Sequence, residues 1–309
     1  MTRMTRWIAM AVVAVVGVLG LQGVGAAAED WRKVYPRITM GIITSENESD
    51  RVKRWAPIRQ YLSKGLGVPV EERLATDYAG VIEAMRAKKI ELAYFGPASF
   101  CQAWLVTNGQ VEPLVARLNK DGSFGYHSVV VVKADSPYKR IEDLRGKKLA
   151  WADPNSTSGH QAPRFFLSEA GFDPDKFFGQ TAFSGSHENS IIALLNGTFD
   201  AAATSWHSER DNNFVRMEEK KMIPPGQVRV IWKSPNLPDS PWSMPLWMPA
   251  EMSAEVRELV LRMPQDGKEA FETLMSGGGE SAGFKRVTLE DYQAIISMIK
   301  HNLEQRKKS

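Results

Sequence analysis

Strand-length apolar runs alternate with segments of helical period along most of this 309-residue chain. That alternation restricts the fold more than any single motif. "RITMGIIT" (37–44) reads as a strand. "DRVKRWAPIRQYLSKGLG" then sets Trp55, Ile58, Tyr61 and Leu62 on one helical face, ended by Gly65 and Gly67. "VPVEERLA" is a second strand. "YAGVIEAMRAKK" carries Tyr78, Val81, Ile82 and Met85 at helical spacing, and "IELAYFG" is a third strand. Strand, helix, strand, helix, strand in that order predicts parallel strands covered by helices.

The alternation restarts at "HSVVVVKAD" (127–135) and runs through "DLRGKKLAWAD", "FGQTAFSG", "HENSIIALLNG", "TFDAAATSW" and "QVRVIWKSP". Past Pro235 comes a proline-rich crossing, "SPNLPDSPWSMPLWMP", followed by helical segments that return to the first unit. The expected class is α/β, with two lobes of mostly parallel sheet flanked by helices and joined by two hinge crossings. Lobe 1 is expected to be 29–127 plus 236–309, and lobe 2 128–235. A cleft between two such lobes suits a small ligand.

The first residues have a different character. Arg3 and Arg6 precede an apolar run from Trp7 to Leu21, then Gly25-Ala26-Ala27-Ala28. Basic, apolar, then small is the order of a secretory signal, here 1–28, and the run is short for a membrane span. The single cysteine, Cys101, sits in "ASFCQAWL" and reads as a buried thiol. An exported chain without disulfides or a lipid-modified cysteine points to a bacterial periplasm. The formal charge of +3 falls to about +1 without Arg3 and Arg6, leaving no basic footprint for nucleic acid.

"DPNSTSGHQAP" (153–163) follows the apolar Leu149-Ala150-Trp151 and precedes an amphipathic run. One hydroxyl residue suffices to cap a helix, yet Ser156, Thr157 and Ser158 are consecutive. A helix N-terminus offers free amides and partial positive charge, and hydroxyls add donors. The group suits a tetrahedral oxyanion: phosphate, phosphonate, phosphite or sulfate. A plain cap is the competing reading. The glycine-rich phosphate loop with its lysine is absent, as is G-x-G-x-x-G. Four of the five histidines (His127, His160, His187, His207), with Glu188 and Glu209, raise the alternative of a metal-dependent hydrolase. No tight metal-ligand spacing or nucleophile elbow supports it, so neither metal nor other cofactor is expected.

Six stretches in order carry a resemblance: "TDYAGVIEAMR", "IELAYFGPASF", "DGSFGYHSVVVV", "DPNSTSG", "GSHENSIIALLNGTFDAA" and "VRVIWKSP". Together they resemble the phosphonate-type substrate-binding proteins of ABC importers, over nearly the whole chain after the signal. The resemblance implies a type II-like periplasmic binding protein that closes on a phosphonate, phosphite or related anion and passes it to an inner-membrane permease. A monomer with no enzymatic activity is implied. By motif, the anion would be held by Ser156, Thr157, Ser158, Tyr78, Tyr126 and His187. A ligand-sensing module for a membrane receptor is the other function such a chain could serve.

The chain departs from the family at two places. Members that take aminoalkyl phosphonates hold the ammonium with two acids, and the corresponding positions here are His207 and Ser240. Both are expected at the ligand. Glu209 and Asp239 lie nearby but out of register. A buried ammonium without a carboxylate is costly, so phosphite or an alkyl phosphonate is expected at least as readily. Trp206 and Trp242, beside these positions, either wall an apolar substituent or pack internally.

Overall fold

The structure, a computed structural model, describes residues 30–275 and 281–308. The expected signal at 1–28 lies outside the described residues. Among those described, no helix is long and apolar enough to cross a membrane.

Two mixed sheets organise residues 31–308. The strands, in chain order, are β1 (Ile38–Ile42), β2 (Val70–Glu72), β3 (Leu92–Tyr94), β4 (Val111–Asn119), β5 (His127–Lys133), β6 (Lys148–Trp151), β7 (Gln180–Phe183), β8 (Ala201–Trp206), β9 (Val228–Lys233), β10 (Pro241–Pro245) and β11 (Ser281–Arg286). A six-stranded sheet has the order β11-β4-β10-β3-β1-β2, and a five-stranded sheet the order β7-β6-β8-β5-β9. This is the type II periplasmic binding protein arrangement.

The expectation of mostly parallel sheets needs correction. β1 pairs in parallel with β2 and β3, and β6 with β7 and β8. Every pairing made by β4, β5, β9, β10 and β11 is antiparallel. The cause lies in the crossings: a chain that leaves one sheet and re-enters it at the opposite end reverses its strand direction. The proline-rich crossing also contains a strand that its composition hides. β10 lies centrally between β4 and β3, with Pro241 and Pro245 at its two ends, where a missing N–H disturbs the ladder least. β4 is similarly disguised by Pro113.

Both crossings meet as a two-way bridge. Tyr126 N donates to Leu237 O at 2.9 Å and Leu237 N to Tyr126 O at 2.8 Å. Gly125 sits there at φ 134°, and a Cβ on it would come within 2.1 Å of Leu237 O. Only glycine permits so close an approach.

Packing inside the first sheet sets up one wall of the cleft. Trp55, from the helix Glu48–Leu66, packs on Tyr94 and Trp242 with ring centroids 4.9 and 5.6 Å away. Trp55 and Trp242 are fully buried. Aromatic contacts of this kind add about 0.5–1.5 kcal/mol each beyond area burial, and they fix the Tyr94 ring at the end of β3. Cys101 is buried as expected, and burial pushes its thiol pKa up.

Candidate functional site

A cavity of about 100 Å³ lies between the sheets, at the carboxyl ends of the parallel strands β1, β3 and β6. That is where a mixed α/β sheet leaves its crevice. The structure brings all eight residues expected at the site, Tyr78, Tyr126, Ser156, Thr157, Ser158, His187, His207 and Ser240, onto its wall.

The hydroxyl turn comes directly after β6. Ser156 is an N-cap in extended conformation, its Oγ accepting from Gly159 N at 3.0 Å. Thr157–Gln161 then forms one π-helical turn that runs on into the helix Ala162–Glu169. Gly159 makes this geometry possible. A Cβ there would stand 2.5 Å from Ala152 Cβ, 2.9 Å from Ser156 Oγ and 3.0 Å from His187 Cε1. Thr157 Oγ1 accepts from Ala98 N at 2.8 Å, across the cleft, and Ser128 Oγ donates to Ser158 O at 2.7 Å. The capping reading is therefore correct for Ser156 but does not account for the neighbouring hydroxyls, which also line the cavity.

Tyr78 opens the helix Tyr78–Arg86, its hydroxyl donating to Thr44 O at 3.1 Å and interacting with the Ser156 side chain. Tyr126, at the crossing, meets the Thr157 and Ser158 side chains. Burial raises both phenol pKa values, so each ring keeps its proton. His187 begins the helix His187–Leu195. Both its nitrogens have protein partners: Nε2 lies 3.0 Å from Ser156 Oγ and Nδ1 3.1 Å from Thr204 Oγ1. Burial, then Arg216, lowers its pKa to about 4, so it is neutral at neutral pH. Its place is behind Ser156 as much as beside a ligand.

His207 follows β8 and stacks on Tyr126, with ring centroids 5.1 Å apart and planes at 22°. Its Nε2 is 3.1 Å from Asp239 Oδ2. Asp239, off register by one position in the sequence, is on the cavity wall beside Ser240. Burial opposes its ionisation, but His207 and Arg117 outweigh burial and lower its pKa. Glu209, Trp206 and Trp242 are not on this wall. Trp206 instead holds Lys233 over its ring at 3.4 Å, and Trp242 packs in the core.

Three arginines on the wall, Arg54, Arg117 and Arg216, escape sequence reasoning. Arg54 pairs with Glu46. Against the opposing effect of burial, Arg54, Arg216 and Lys220 hold Glu46 down to about 2. Arg117 Nη1 bonds Asp211 Oδ2 at 2.6 Å, with Arg216 3.6 Å from the same carboxylate. Asp211 too is held at about 2, its burial outweighed by Arg216, His207 and Arg117. One signal was available: Arg117 interrupts the otherwise apolar "PLVARL" of β4. A charge inside a buried run needs a partner.

The cleft is shut in this structure. Besides Thr157, Glu188 Oε2 accepts from Asn47 N and Nδ2 at 2.8 and 2.9 Å. Lys220 bridges Glu188 and Asp50 at 3.1 Å each. Among the described residues no group of three or more His, Cys, Asp or Glu is placed to hold a metal ion.

Residues 40–292 match the family described as "ABC transporter, phosphonate, periplasmic substrate-binding protein". The "Phosphonates-binding periplasmic protein" of Escherichia coli (strain K12) is 34% identical over 223 residues, covering 70% of this chain and 62% of that relative's length. A binding protein component of an ABC phosphonate transporter from Pseudomonas aeruginosa superposes with a TM-score of 0.73 at 26% identity, covering 85% of both chains. PhnD1 of Prochlorococcus marinus (MIT 9301), in complex with methylphosphonate, has the same fold: TM-score 0.73, 24% identity, 86% of this chain and 98% of that one. The chain belongs to the family of phosphonate ABC-transporter periplasmic substrate-binding proteins, a family of binding proteins rather than catalysts.

Proposed function

We propose that this protein captures a small phosphorus oxyanion, a phosphonate or phosphite, in the periplasm and delivers it to an ABC permease in the inner membrane. Residues 1–28 act as the export signal, and the rest works as a monomer. Lobe 1 (29–127 with 236–309) and lobe 2 (128–235) close about the Tyr126–Leu237 bridge.

One observation carries this reading: the hydroxyls of Ser156, Thr157, Ser158, Tyr78 and Tyr126 converge on one buried cavity of about 100 Å³. Every one of these hydroxyls is neutral, and Tyr78 serves an anion by turning its one proton away from Thr44 O. With the proton of His187 on Nε2, that nitrogen donates to Ser156 Oγ, Thr204 donates to Nδ1, and the Ser156 O–H is free to reach into the cavity. Charge-assisted hydrogen bonds from these hydroxyls replace the hydration shell of an anion, and Arg54, Arg117 and Arg216 put positive charge on the same wall. The volume is well below the ~300–1,000 Å³ usual for drug-sized ligands, which favours phosphite and short-chain phosphonates. Capture is followed by closure, which adds the cross-cleft bonds of Thr157, Glu188 and Lys220.

Replacing Ser156, Thr157 and Ser158 together by alanine tests the reading. Affinity for phosphite and methylphosphonate should fall at least a hundredfold, from the loss of several charge-assisted bonds of about 1.5–3 kcal/mol each. A folded triple variant that binds like the parent would reduce the motif to a cap.

A further inference from the structure

One carboxylate ties the two sheets together beside the cavity. Asp211 Oδ2 accepts from Arg117 Nη1 at 2.6 Å, and Asp211 Oδ1 lies 3.6 Å from Arg216 Nη2. Arg117 belongs to β4 of the six-stranded sheet. Asp211 follows β8 of the five-stranded sheet, and Arg216 stands on the helix Asn213–Glu219 that comes next. Both arginines line the ligand cavity, whereas Asp211 does not. Each oxygen of one carboxylate thus faces a cavity arginine, one from either sheet.

This clasp is buried, and its acid is firmly held. Asp211 is 2% exposed and Arg117 9%. The turn after β8 fixes Asp211: its carbonyl accepts from His207 N and Ser208 N at 2.9 and 3.0 Å, and its N–H donates to Ser208 Oγ at 3.1 Å. Asn212, the next residue, caps the helix that carries Arg216 by accepting from Val215 N at 2.9 Å. Asp211 and Arg216 therefore move as one piece with the second sheet. Arg117 Nε is also buried and has no hydrogen-bond partner among the described residues. It can only donate, so an acceptor in the cavity is what completes it.

We infer that Asp211 is a positioning residue for ligand retention: it clasps Arg117 of the first sheet beside Arg216 of the second and so sets how long the anion stays bound. This rests on the phosphorus-anion reading above and adds to it the residue that governs release. When the sheets separate, Arg216 stays with Asp211 and Arg117 is drawn away. Release of the anion then requires breaking a buried, hydrogen-bonded ion pair, and the loss of such a pair shows in dissociation more than in association. The Lys220 contacts with Asp50 and Glu188 also cross or flank the cleft, but Lys220 is about a third exposed, so solvent and salt weaken them first.

Stopped-flow tryptophan fluorescence of residues 29–309 with methylphosphonate separates the two rates. Asp211→Asn keeps the size of the side chain and removes its charge. Dissociation should become at least about tenfold faster, while association stays within about threefold of the parent. Arg117→Gln breaks the same contact from the other sheet and should also speed dissociation. The double variant should fall well short of the product of the two single effects, because both remove one interaction. A merely structural Asp211 would lower stability in urea and leave dissociation from the folded protein unchanged. Dissociation within about twofold of the parent, or single effects that multiply in the double variant, overturns this inference alone, provided the parent binds methylphosphonate. A parent that binds neither methylphosphonate nor phosphite overturns the phosphorus-anion reading, and this inference with it. Should Asp211→Asn not fold, Arg117→Gln carries the same dissociation test.

Discussion

Acid should weaken this protein in a defined window, and His187 is the place to measure it. His187 is buried, and burial, with Arg216, depresses its pKa from 6.5 to about 4. Between those values the unfolded chain binds a proton that the folded chain refuses. Stability is therefore complete above pH 6.5, falls as pH drops through the window, and stops changing from this source below about 4. At about 1.4 kcal/mol per pKa unit, the full effect is roughly 3 kcal/mol, of which about 2 kcal/mol is lost by pH 5. His160, likewise buried and lowered to about 4, adds a similar amount. Glu46 and Asp211 act lower: held at about 2, they contribute stability that is lost only as pH falls from the ordinary carboxylate range toward 2. Urea unfolding followed by tryptophan fluorescence at pH 7 and pH 5 gives the test. His187→Gln should be destabilised at pH 7 through lost bonds to Ser156 and Thr204. Its deficit against the parent should then shrink by about 2 kcal/mol at pH 5, because the variant has no proton to take up. A deficit that is the same at both pH values would refute a neutral, buried imidazole behind Ser156.

Two further perturbations probe the cradle and its closure. Gly159→Ala forces a methyl to within 2.5 Å of Ala152 Cβ and 2.9 Å of Ser156 Oγ; it should cost about 1–3 kcal/mol in urea unfolding and at least tenfold in phosphite affinity. Parent-like stability and affinity would show that the turn has room the structure denies it. Glu188→Gln weakens the link to Asn47 across the cleft and frees Lys220, whose contact with Asp50 also crosses it, so phosphite should bind roughly tenfold more weakly and small-angle scattering should show a larger radius of gyration without ligand. An unchanged affinity and radius would remove Glu188 from the closing mechanism.

The parts of the molecule that were legible in the sequence are those where one periodicity dominates. β1, β3, β5 and β6 are apolar runs with clear ends, and the helices Glu48–Leu66 and Tyr78–Arg86 show their buried stripes directly. β10 was hidden because proline normally ends strands, and here Pro241 and Pro245 stand at the ends of a central one. β4 was hidden by Pro113, and with it Arg117, whose carboxylate partner Asp211 lies far along the chain. In the site, hydroxyls and tyrosines could be found because motif and local chemistry agreed. The Arg54, Arg117 and Arg216 group could not, because those residues come from three separate elements and only the fold brings them to one cavity. Asp239 shows the same limit: one residue off in the chain, it still reaches the cavity, because its position before β10 sets its direction.

Isothermal calorimetry of residues 29–309 with phosphite and with methylphosphonate tests the central claim most directly. The account predicts saturable binding at one site per chain for both anions, competitive with each other. Absence of saturable heat with either anion at millimolar concentration would contradict it.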